Sequence, residues 1–84
     1  MIMTASTEVR TAIRRFIADV FFVDSLSDTT SFLEEAIVDS TGMLELVAFV
    51  EATYGIPIAD DELIPENLDS VANLTAFIER KLRP

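Results

Sequence analysis

Three stretches of the chain repeat apolar residues at the three- and four-residue steps of an α-helix, and none alternates as a half-buried strand does. The stripes are Val9, Ile13, Phe16, Ile17, Val20 and Phe21; Met43, Leu46, Val47, Val50 and Tyr54; and Val71, Leu74, Phe77, Ile78 and Leu82. Such a stripe is stable when it is buried against another, and the second is expected to pack onto the first. The pattern therefore predicts an all-α bundle.

The second helix has the best-defined bounds. It is expected to begin at Ser40 or Thr41 and to end near Tyr54. Gly55 suits the left-handed position that follows a helix, and Pro57 cannot continue one. Ser40 therefore stands at the N-terminus of this helix.

The remaining elements are bounded by polar caps and a proline. The first helix is expected over about Thr7–Phe22 and the last from about residue 70. A short helical turn is expected between Ile58 and Leu68, stopping at Pro65. The candidate caps are Thr4, Ser6 or Thr7 for the first helix, Asp60 for the short turn, and Asp69 or Ser70 for the last helix.

A long loop separates the first two helices. Residues 23–39 are rich in Asp, Ser and Thr. Their apolar members are expected to pin the loop to the core: Leu26, Phe32, Leu33, Ile37 and Val38. Such a loop is either functional or simply long enough to join distant helix ends, and both explanations stay open. The predicted architecture is a small bundle of three main helices and one short helix, with residues 1–84 forming a single domain.

The charge and the residue types restrict the functions that are possible. Six basic and fifteen acidic side chains give the 84 residues a net charge of −9, which repels nucleic acid and anionic membranes and favours partners with basic patches. Cysteine and histidine are absent, which excludes disulfides, thiolate zinc sites and Cys or His catalysis. The acidic run Asp60–Glu62 lacks the spacing of an EF-hand loop. No metal site and no catalytic residue is predicted.

The same features bear on location and assembly. No apolar run reaches the 18 or so residues of a membrane span, and Met1–Thr4 lacks the charged start of a signal peptide. We therefore expect a cytoplasmic protein. A small and strongly charged domain that makes transient contacts is also expected to be a monomer.

Ser40 is the residue best suited to carry a chemical group. A serine at a helix N-terminus is partly exposed, and an attached anion would face free backbone N–H groups and the positive end of the helix dipole. The plainer explanation is an ordinary N-cap. Ser40 is not predicted to be a hydrolytic nucleophile, because the chain has no histidine and no Gly-x-Ser-x-Gly elbow.

Residues 31–47 read Ser-Phe-Leu-Glu-Glu-Ala-Ile-Val-Asp-Ser-Thr-Gly-Met-Leu-Glu-Leu-Val. This segment resembles the attachment region of the acyl carrier protein superfamily, in which an Asp-Ser pair opens the second helix. The resemblance implies that Ser40 receives 4′-phosphopantetheine from coenzyme A and that Asp39 serves recognition by the phosphopantetheinyl transferase. It implies a carrier that holds acyl or aminoacyl groups as thioesters and is not itself an enzyme.

The departures from the family pattern bear on the subclass. In fatty-acid synthase carriers a Gly commonly stands three positions before the serine and a Leu follows it, whereas this chain has Ile37 and Thr41. Ala36 stands where D-alanyl carrier proteins and other discrete carriers often have Gly, and residues 60–67 are similar to the same group. The resemblance implies a discrete carrier in a specialised biosynthetic pathway, loaded by a separate adenylate-forming ligase and unloaded by downstream acyl-transferring enzymes.

Two alternatives to this function stay open. One is a housekeeping carrier of fatty-acid synthesis, which differs from the first hypothesis only in its cargo and partner enzymes. The other is an unmodified helical module that docks through its acidic face. Refusal of phosphopantetheine would favour the second alternative.

A partner-binding surface is predicted beside Ser40. Leu44 and Ala48 continue the Ser40 ridge at steps of four residues. Glu45 and Glu51 flank that ridge, and the resemblance suggests that they meet basic patches, although glutamates that serve only solubility are equally common. The full predicted set is Thr41, Leu44, Glu45, Ala48, Glu51, Asp60, Asp61 and Glu62.

Overall fold

A computed structural model of the protein describes residues 5–23 and 26–83. The chain forms α1 (Ala5–Phe21), α2 (Ser40–Tyr54), one turn of 3-10 helix (Asp60–Glu62), α3 (Pro65–Leu68) and α4 (Val71–Leu82). The described residues contain no strand, and none of their helices is long and apolar enough to cross a membrane. The predicted all-α bundle, with a long connection between its first two main helices, is confirmed.

The three apolar stripes converge on one core. Its buried residues are Val9, Ile13, Ile17, Phe32, Val38, Leu46, Val50, Ile56, Leu68, Val71, Leu74, Phe77 and Ile78. Phe32 and Val38 come from the long loop, so the loop is pinned to the core as predicted. The prediction that Leu33 packs into the core is wrong, because this residue is 52% exposed. Val20 and Leu82 are also exposed, since each lies in the last turn of its helix where fewer neighbours cover it.

The start of α2 lies against the end of α1. Gly42 approaches the ring of Phe21 so closely that a Cβ at this position would lie 2.5 Å from Phe21 Cε1. Further along, the rings of Phe16 and Phe49 stack with centroids 4.3 Å apart. The predicted packing of α2 on α1 therefore uses Phe49 and Gly42, which lie beside the predicted stripe. The predicted stripe is confirmed as the core face, because Leu46 and Val50 are fully buried and Met43, Val47 and Tyr54 pack against the core.

The end of α2 matches its prediction. Gly55 adopts the left-handed conformation (φ 65°) and its N–H donates to the carbonyl of Glu51 at 2.9 Å. Tyr54, the last residue of α2, packs against the core and is half-buried. Burial raises the pKa of Tyr54 above its usual value, and the negative charge of Glu8 adds to this shift.

The caps of the other helices match in part. The Ser70 hydroxyl accepts from the Asn73 N–H at 3.0 Å and caps α4 as predicted. For the first helix, Thr4 and the Ser6 side chain lie outside the described residues. The prediction that Thr7 caps this helix is wrong, because α1 has already begun at Ala5.

Pro65 starts a helix, so the prediction that it stops one is wrong. It occupies the first turn of α3, where its missing N–H needs no partner. Asp60 is not the cap of the preceding turn either, because Ala59 holds that position. The Glu62 carboxylate accepts the Ala59 N–H at 2.9 Å and the Lys81 ammonium at 3.0 Å, which ties the 3-10 turn to α4.

Asp28 fastens the long loop to two helices. Its carboxylate accepts from Arg14 and lies 3.2 Å from Arg10 Nε, and both arginines belong to α1. Its carbonyl accepts the N–H of Ala72 in α4 at 2.8 Å. Arg14 also donates to the carbonyl of Leu26. The loop is therefore tied to α1 and to α4 at Asp28.

Candidate functional site

The chain enters α2 through a single helical turn that ends in a strained residue. The Ile37 N–H donates to the Phe32 carbonyl at 2.9 Å and the Ala36 N–H to the Leu33 carbonyl at 3.2 Å. This pair of bonds is the Schellman arrangement that closes a helix. Ala36 holds the left-handed position of that motif, with φ of 54°, where glycine is normally favoured.

Asp69 anchors this turn from the junction between α3 and α4. Its carboxylate accepts from the Ser31 hydroxyl and, at 3.0 Å, from the Leu33 N–H. Its backbone carbonyl accepts the Phe32 N–H at 2.8 Å. Ser31 also accepts the Glu34 N–H at 3.1 Å, so one hydroxyl joins the turn to Asp69. We call residues 31–36 the entry turn.

Asp39, and not Ser40, caps α2. Its Oδ1 accepts the Gly42 N–H at 2.7 Å, and its carbonyl accepts the Met43 N–H at 2.8 Å. Ser40 is the first residue of the helix and is exposed. Within the described residues no hydrogen bond engages its hydroxyl. The alternative of Ser40 as an ordinary N-cap is wrong.

An apolar pocket of about 330 Å³ opens beside Ser40. It lies between α2 and the segment 63–69, and Asp39 and Asp69 are the charged residues at its wall. Four of its lining residues are large apolar side chains that are exposed, namely Leu33, Leu44, Leu63 and Ile64. Exposed apolar side chains that gather around one opening mark a binding surface. We call these four residues the apolar collar.

Two known carrier proteins are similar to this chain over most of their length. An acyl carrier protein of Lactobacillus acidophilus is 31% identical over 74 residues, which is 86% of this chain and 90% of the relative. An acyl carrier protein of Akkermansia muciniphila is 31% identical over 78 residues, which is 90% of this chain and 95% of the relative. A family model described as a phosphopantetheine attachment site matches residues 11–78.

The chain belongs to the acyl carrier protein superfamily. This carrier is therefore a phosphopantetheine-bearing protein and not an enzyme. Carriers work with a phosphopantetheinyl transferase and with enzymes that handle acyl groups. The predicted superfamily, cofactor and non-catalytic role are confirmed.

The residues predicted for partner binding on α2 fall into two groups. Thr41, Leu44, Glu45 and Ala48 are exposed on the side of α2 away from the core, and Leu44 has 65% of its surface exposed. Glu51 has an internal partner, because its Oε2 accepts the Ile58 N–H at 2.9 Å. The structure therefore gives Glu51 a place in the turn that follows α2.

The acidic run before α3 divides in the same way. Asp60 and Asp61 are exposed. Glu62 is bound to Ala59 and Lys81, and the first of these contacts, with the Ala59 N–H, contributes most to lowering the pKa of Glu62. The described residues contain no cluster of acidic side chains that would hold a metal ion.

Asp69, the contacts of the entry turn and three of the four residues of the apolar collar were not predicted as parts of the site. The entry turn had a detectable pattern, because Ser31 is followed three residues later by Glu34, as in a capping box. Asp69 had none, since its contacts join segments that are far apart in the sequence. Leu63 and Ile64 belong to the site only because α3 folds back beside α2.

Proposed function

We propose that this carrier holds acyl groups on a 4′-phosphopantetheine arm attached to the Ser40 hydroxyl and passes them between enzymes. The observation that carries the proposal is that Ser40 is exposed and that its hydroxyl has no hydrogen bond within residues 5–23 and 26–83, because Asp39 supplies the helix cap. When it is attached, the arm supplies a terminal thiol that binds an acyl group as a thioester. A flexible arm of this kind raises the effective concentration of its cargo at each partner.

The surroundings of Ser40 suit a phosphodiester. As the first residue of α2 it stands at the positive end of the helix dipole. The backbone N–H groups beside it have no carbonyl acceptor within the helix. The Asp39 carboxylate already accepts the Gly42 N–H, which directs that oxygen to the helix end. The pocket beside Ser40 offers apolar contacts to the arm and to its cargo. The residues therefore fit the group.

Other serines of the described region are less suited to modification. The hydroxyls of Ser31 and Ser70 are engaged in hydrogen bonds. Ser27 is exposed, but its hydroxyl pairs with Thr29 in the loop and lies at no helix start. Ser27→Ala is therefore a matched control for Ser40→Ala.

The first experiment is intact-protein mass spectrometry after incubation with coenzyme A, magnesium and a broad-specificity phosphopantetheinyl transferase. We expect the mass of one phosphopantetheine to be added to the wild-type chain and to Ser27→Ala, but not to Ser40→Ala. Modification of Ser40→Ala would refute the assignment of Ser40. A wild-type chain that stays unmodified beside a modified reference carrier would favour the helical interaction module.

We propose that partners dock on the outer face of α2. Thr41, Leu44, Glu45 and Ala48 lie beside the attachment residue, and Glu45 is the only charged side chain among them. Leu44 also belongs to the apolar collar, so the face offers an apolar contact next to a single charge. Asp60 and Asp61 add acidic surface from the 3-10 turn. A partner with an apolar docking site and a basic rim fits this arrangement.

We propose a discrete carrier of a specialised pathway, loaded by a separate adenylate-forming ligase. The support is the entry turn, because Ala36 takes the conformation for which the discrete carriers often use Gly, together with Ile37 and Thr41 at the positions where fatty-acid synthase carriers differ. The second candidate is a housekeeping role in fatty-acid synthesis, with which the two relatives named acyl carrier protein are equally consistent. Residues 1–84 are proposed to act as one cytoplasmic, monomeric domain.

The cargo distinguishes the two candidates. The modified carrier is purified from its native cells, and hydroxylamine cleaves the thioester, which frees the thiol and releases the acyl groups as hydroxamates for mass spectrometry. One specific carboxylic or amino acid is expected for a discrete carrier. A ladder of fatty acids that differ by two carbons would instead establish the housekeeping role.

A further inference from the structure

We propose that Asp69 is a positioning residue for the modification of Ser40, an inference that rests on the proposed function of that serine. Asp69 lies at the junction of α3 and α4 and in the wall of the pocket that Ser40 lines. It holds the entry turn, and the entry turn sets the place of the Asp39-Ser40 pair. Asp69 itself is not proposed to touch the reacting atoms.

The contacts of Asp69 show the first step. Both of its carboxylate oxygens accept hydrogen bonds from the entry turn, one from the Ser31 hydroxyl and one from the Leu33 N–H. Its main-chain carbonyl accepts a third, from the Phe32 N–H at 2.8 Å. Three successive residues of the turn are therefore bound to one residue of a distant segment. Hydrogen bonds to a carboxylate are among the stronger ones in proteins.

The entry turn needs this external support. A single helical turn is unstable in isolation, because few hydrogen bonds offset the ordering of its residues. Its last residue, Ala36, has the left-handed conformation that is unfavourable for any residue with a side chain. The turn therefore combines a short length with a strained end, and Asp69 supplies the hydrogen bonds that compensate.

The position of Ser40 depends on the turn. From Ala36 the chain passes through Ile37 and the buried Val38 to Asp39, whose carboxylate caps α2. If the turn opens, Asp39 loses the hydrogen-bonded turn on its N-terminal side and keeps the weaker restraint of Ile37 and Val38 packed against the core. A transferase that recognises the Asp39-Ser40 pair then meets the competent geometry in only a fraction of the molecules. The apparent affinity is the intrinsic affinity multiplied by that fraction, while the rate in the bound complex is unchanged.

The test is the steady-state kinetics of phosphopantetheine transfer to Asp69→Ala and Asp69→Asn, at a temperature where circular dichroism shows both variants folded. Asp69→Ala is expected to raise KM about tenfold with kcat unchanged. Asp69→Asn keeps one acceptor oxygen, so its KM is expected to lie between those of Asp69→Ala and the wild type. The control is Glu66→Gln, which removes a charge from an exposed neighbour in α3 and is expected to leave KM unchanged.

A rescue experiment separates local positioning from general stability. Ala36→Gly removes the strain at the end of the entry turn. The double variant Asp69→Ala with Ala36→Gly is therefore expected to have a KM much closer to that of the wild type than Asp69→Ala alone. Thr75→Val, which changes a buried residue of α4, serves as the comparison and is expected to give no recovery. Equal rescue by both would overturn the proposal.

The remaining outcomes are also decisive. A wild-type chain that accepts no phosphopantetheine refutes the proposed function, and with it this inference. Efficient modification of the wild type together with an unchanged KM in Asp69→Ala refutes the inference alone. A fall in kcat at constant KM would also overturn it, because such a change indicates a role in the reaction step. Should Asp69→Ala fail to fold, Asp69→Asn decides by the same criteria.

Discussion

Asp39 Oδ1 accepts the backbone N–H of Gly42 at 2.7 Å, so the residue that caps α2 stands immediately before the residue proposed for modification. This pairing separates two tasks that a single serine would otherwise combine. Because Asp39 stabilises the helix start, attaching a phosphate to the Ser40 hydroxyl breaks no hydrogen bond in the part of the chain that the structure describes. An Asp-Ser pair at this place is thus consistent with a helix that stays intact after modification.

Replacing Ser40 is expected to leave stability almost unchanged. Ser40→Ala should lower the free energy of unfolding by less than about 0.5 kcal/mol, because an exposed hydroxyl without a partner is lost. Asp39→Ala should cost about 1 kcal/mol through loss of the cap. Urea denaturation of the two variants measures both effects. The reverse order of the two losses would show that Ser40 caps the helix after all.

Ala36→Gly is expected to stabilise the protein. Relief of the left-handed conformation gains about 1–2 kcal/mol, and the greater freedom of glycine in the unfolded chain offsets about 0.5–1 kcal/mol of it. The net gain in unfolding free energy should be about 0.5–1 kcal/mol in urea denaturation. Ala52→Gly, in the exposed face of α2, is the control and should lose about 1 kcal/mol. A loss of stability in Ala36→Gly would show that the left-handed conformation of Ala36 does not destabilise the protein.

Thr75→Val is expected to raise stability by about 1 kcal/mol, since it removes a buried hydroxyl that has no hydrogen-bond partner among the described residues. Thr75 is 2% exposed in α4 and valine has almost the same shape. Thermal and urea denaturation provide the measurement. Thr53→Val, on an exposed position of α2, should change stability by less than about 0.5 kcal/mol. Destabilisation by Thr75→Val would mean that the hydroxyl makes a bond in solution.

The pKa of Glu62 is lowered by the Ala59 N–H first and by Lys81 second. Because the folded pKa lies below the ordinary value of 4.5, Glu62 stabilises the fold above that pH and loses this contribution as the pH falls through the folded pKa. Glu62→Gln should therefore show a weaker dependence of stability on pH in this acidic range, in urea denaturation at a series of pH values.

The two causes of this shift can be separated by NMR titration of the Glu62 carboxyl. Lys81→Met should raise its pKa only part of the way to 4.5, because the Ala59 N–H remains. Arg83→Met, at an exposed position in the same region, is the control and should leave the titration unchanged. A complete return to 4.5 in Lys81→Met would show that the ammonium, and not the N–H, is the main cause.

Charge reversal at two glutamates of α2 is expected to have different effects. Glu45→Arg should raise the KM of the loading enzyme at low salt, with the difference shrinking at high salt, because it acts through the field at the docking face. Glu51→Arg should instead lower stability by about 1 kcal/mol, since the Ile58 N–H loses its acceptor. Loading kinetics at several salt concentrations and urea denaturation distinguish the two. Equal behaviour of the variants would contradict this division.

Periodicity was sufficient to predict the main helices and most of the core. The bounds of α2 were predictable because Gly55 and Pro57 leave few conformations to the chain. The stripe of α2 was less informative about its packing, since Phe49 lies outside it and still stacks on Phe16. Which side of an apolar helix meets which neighbour depends on the whole bundle, and the sequence of one helix does not contain that information.

The site was predictable where it depends on adjacent residues, and not where it depends on tertiary contacts. Ser40 was chosen as the candidate from its place at a helix start, and its alternative explanation as an N-cap is wrong because Asp39, an equally good capping residue, takes that position. Glu51 and Glu62 looked like free surface charges and proved to accept backbone N–H groups. Such bonds form only once the following turn has folded back onto the carboxylate.

Tyr54 gives this carrier a built-in optical reporter. The chain has one tyrosine and no tryptophan, so its tyrosine fluorescence comes from a single ring. That ring lies at the last residue of α2, at the other end of the helix from Ser40, and it packs against the core. Emission from the unlabelled protein therefore reports whether the helix keeps its packing while the opposite end is modified, loaded and emptied.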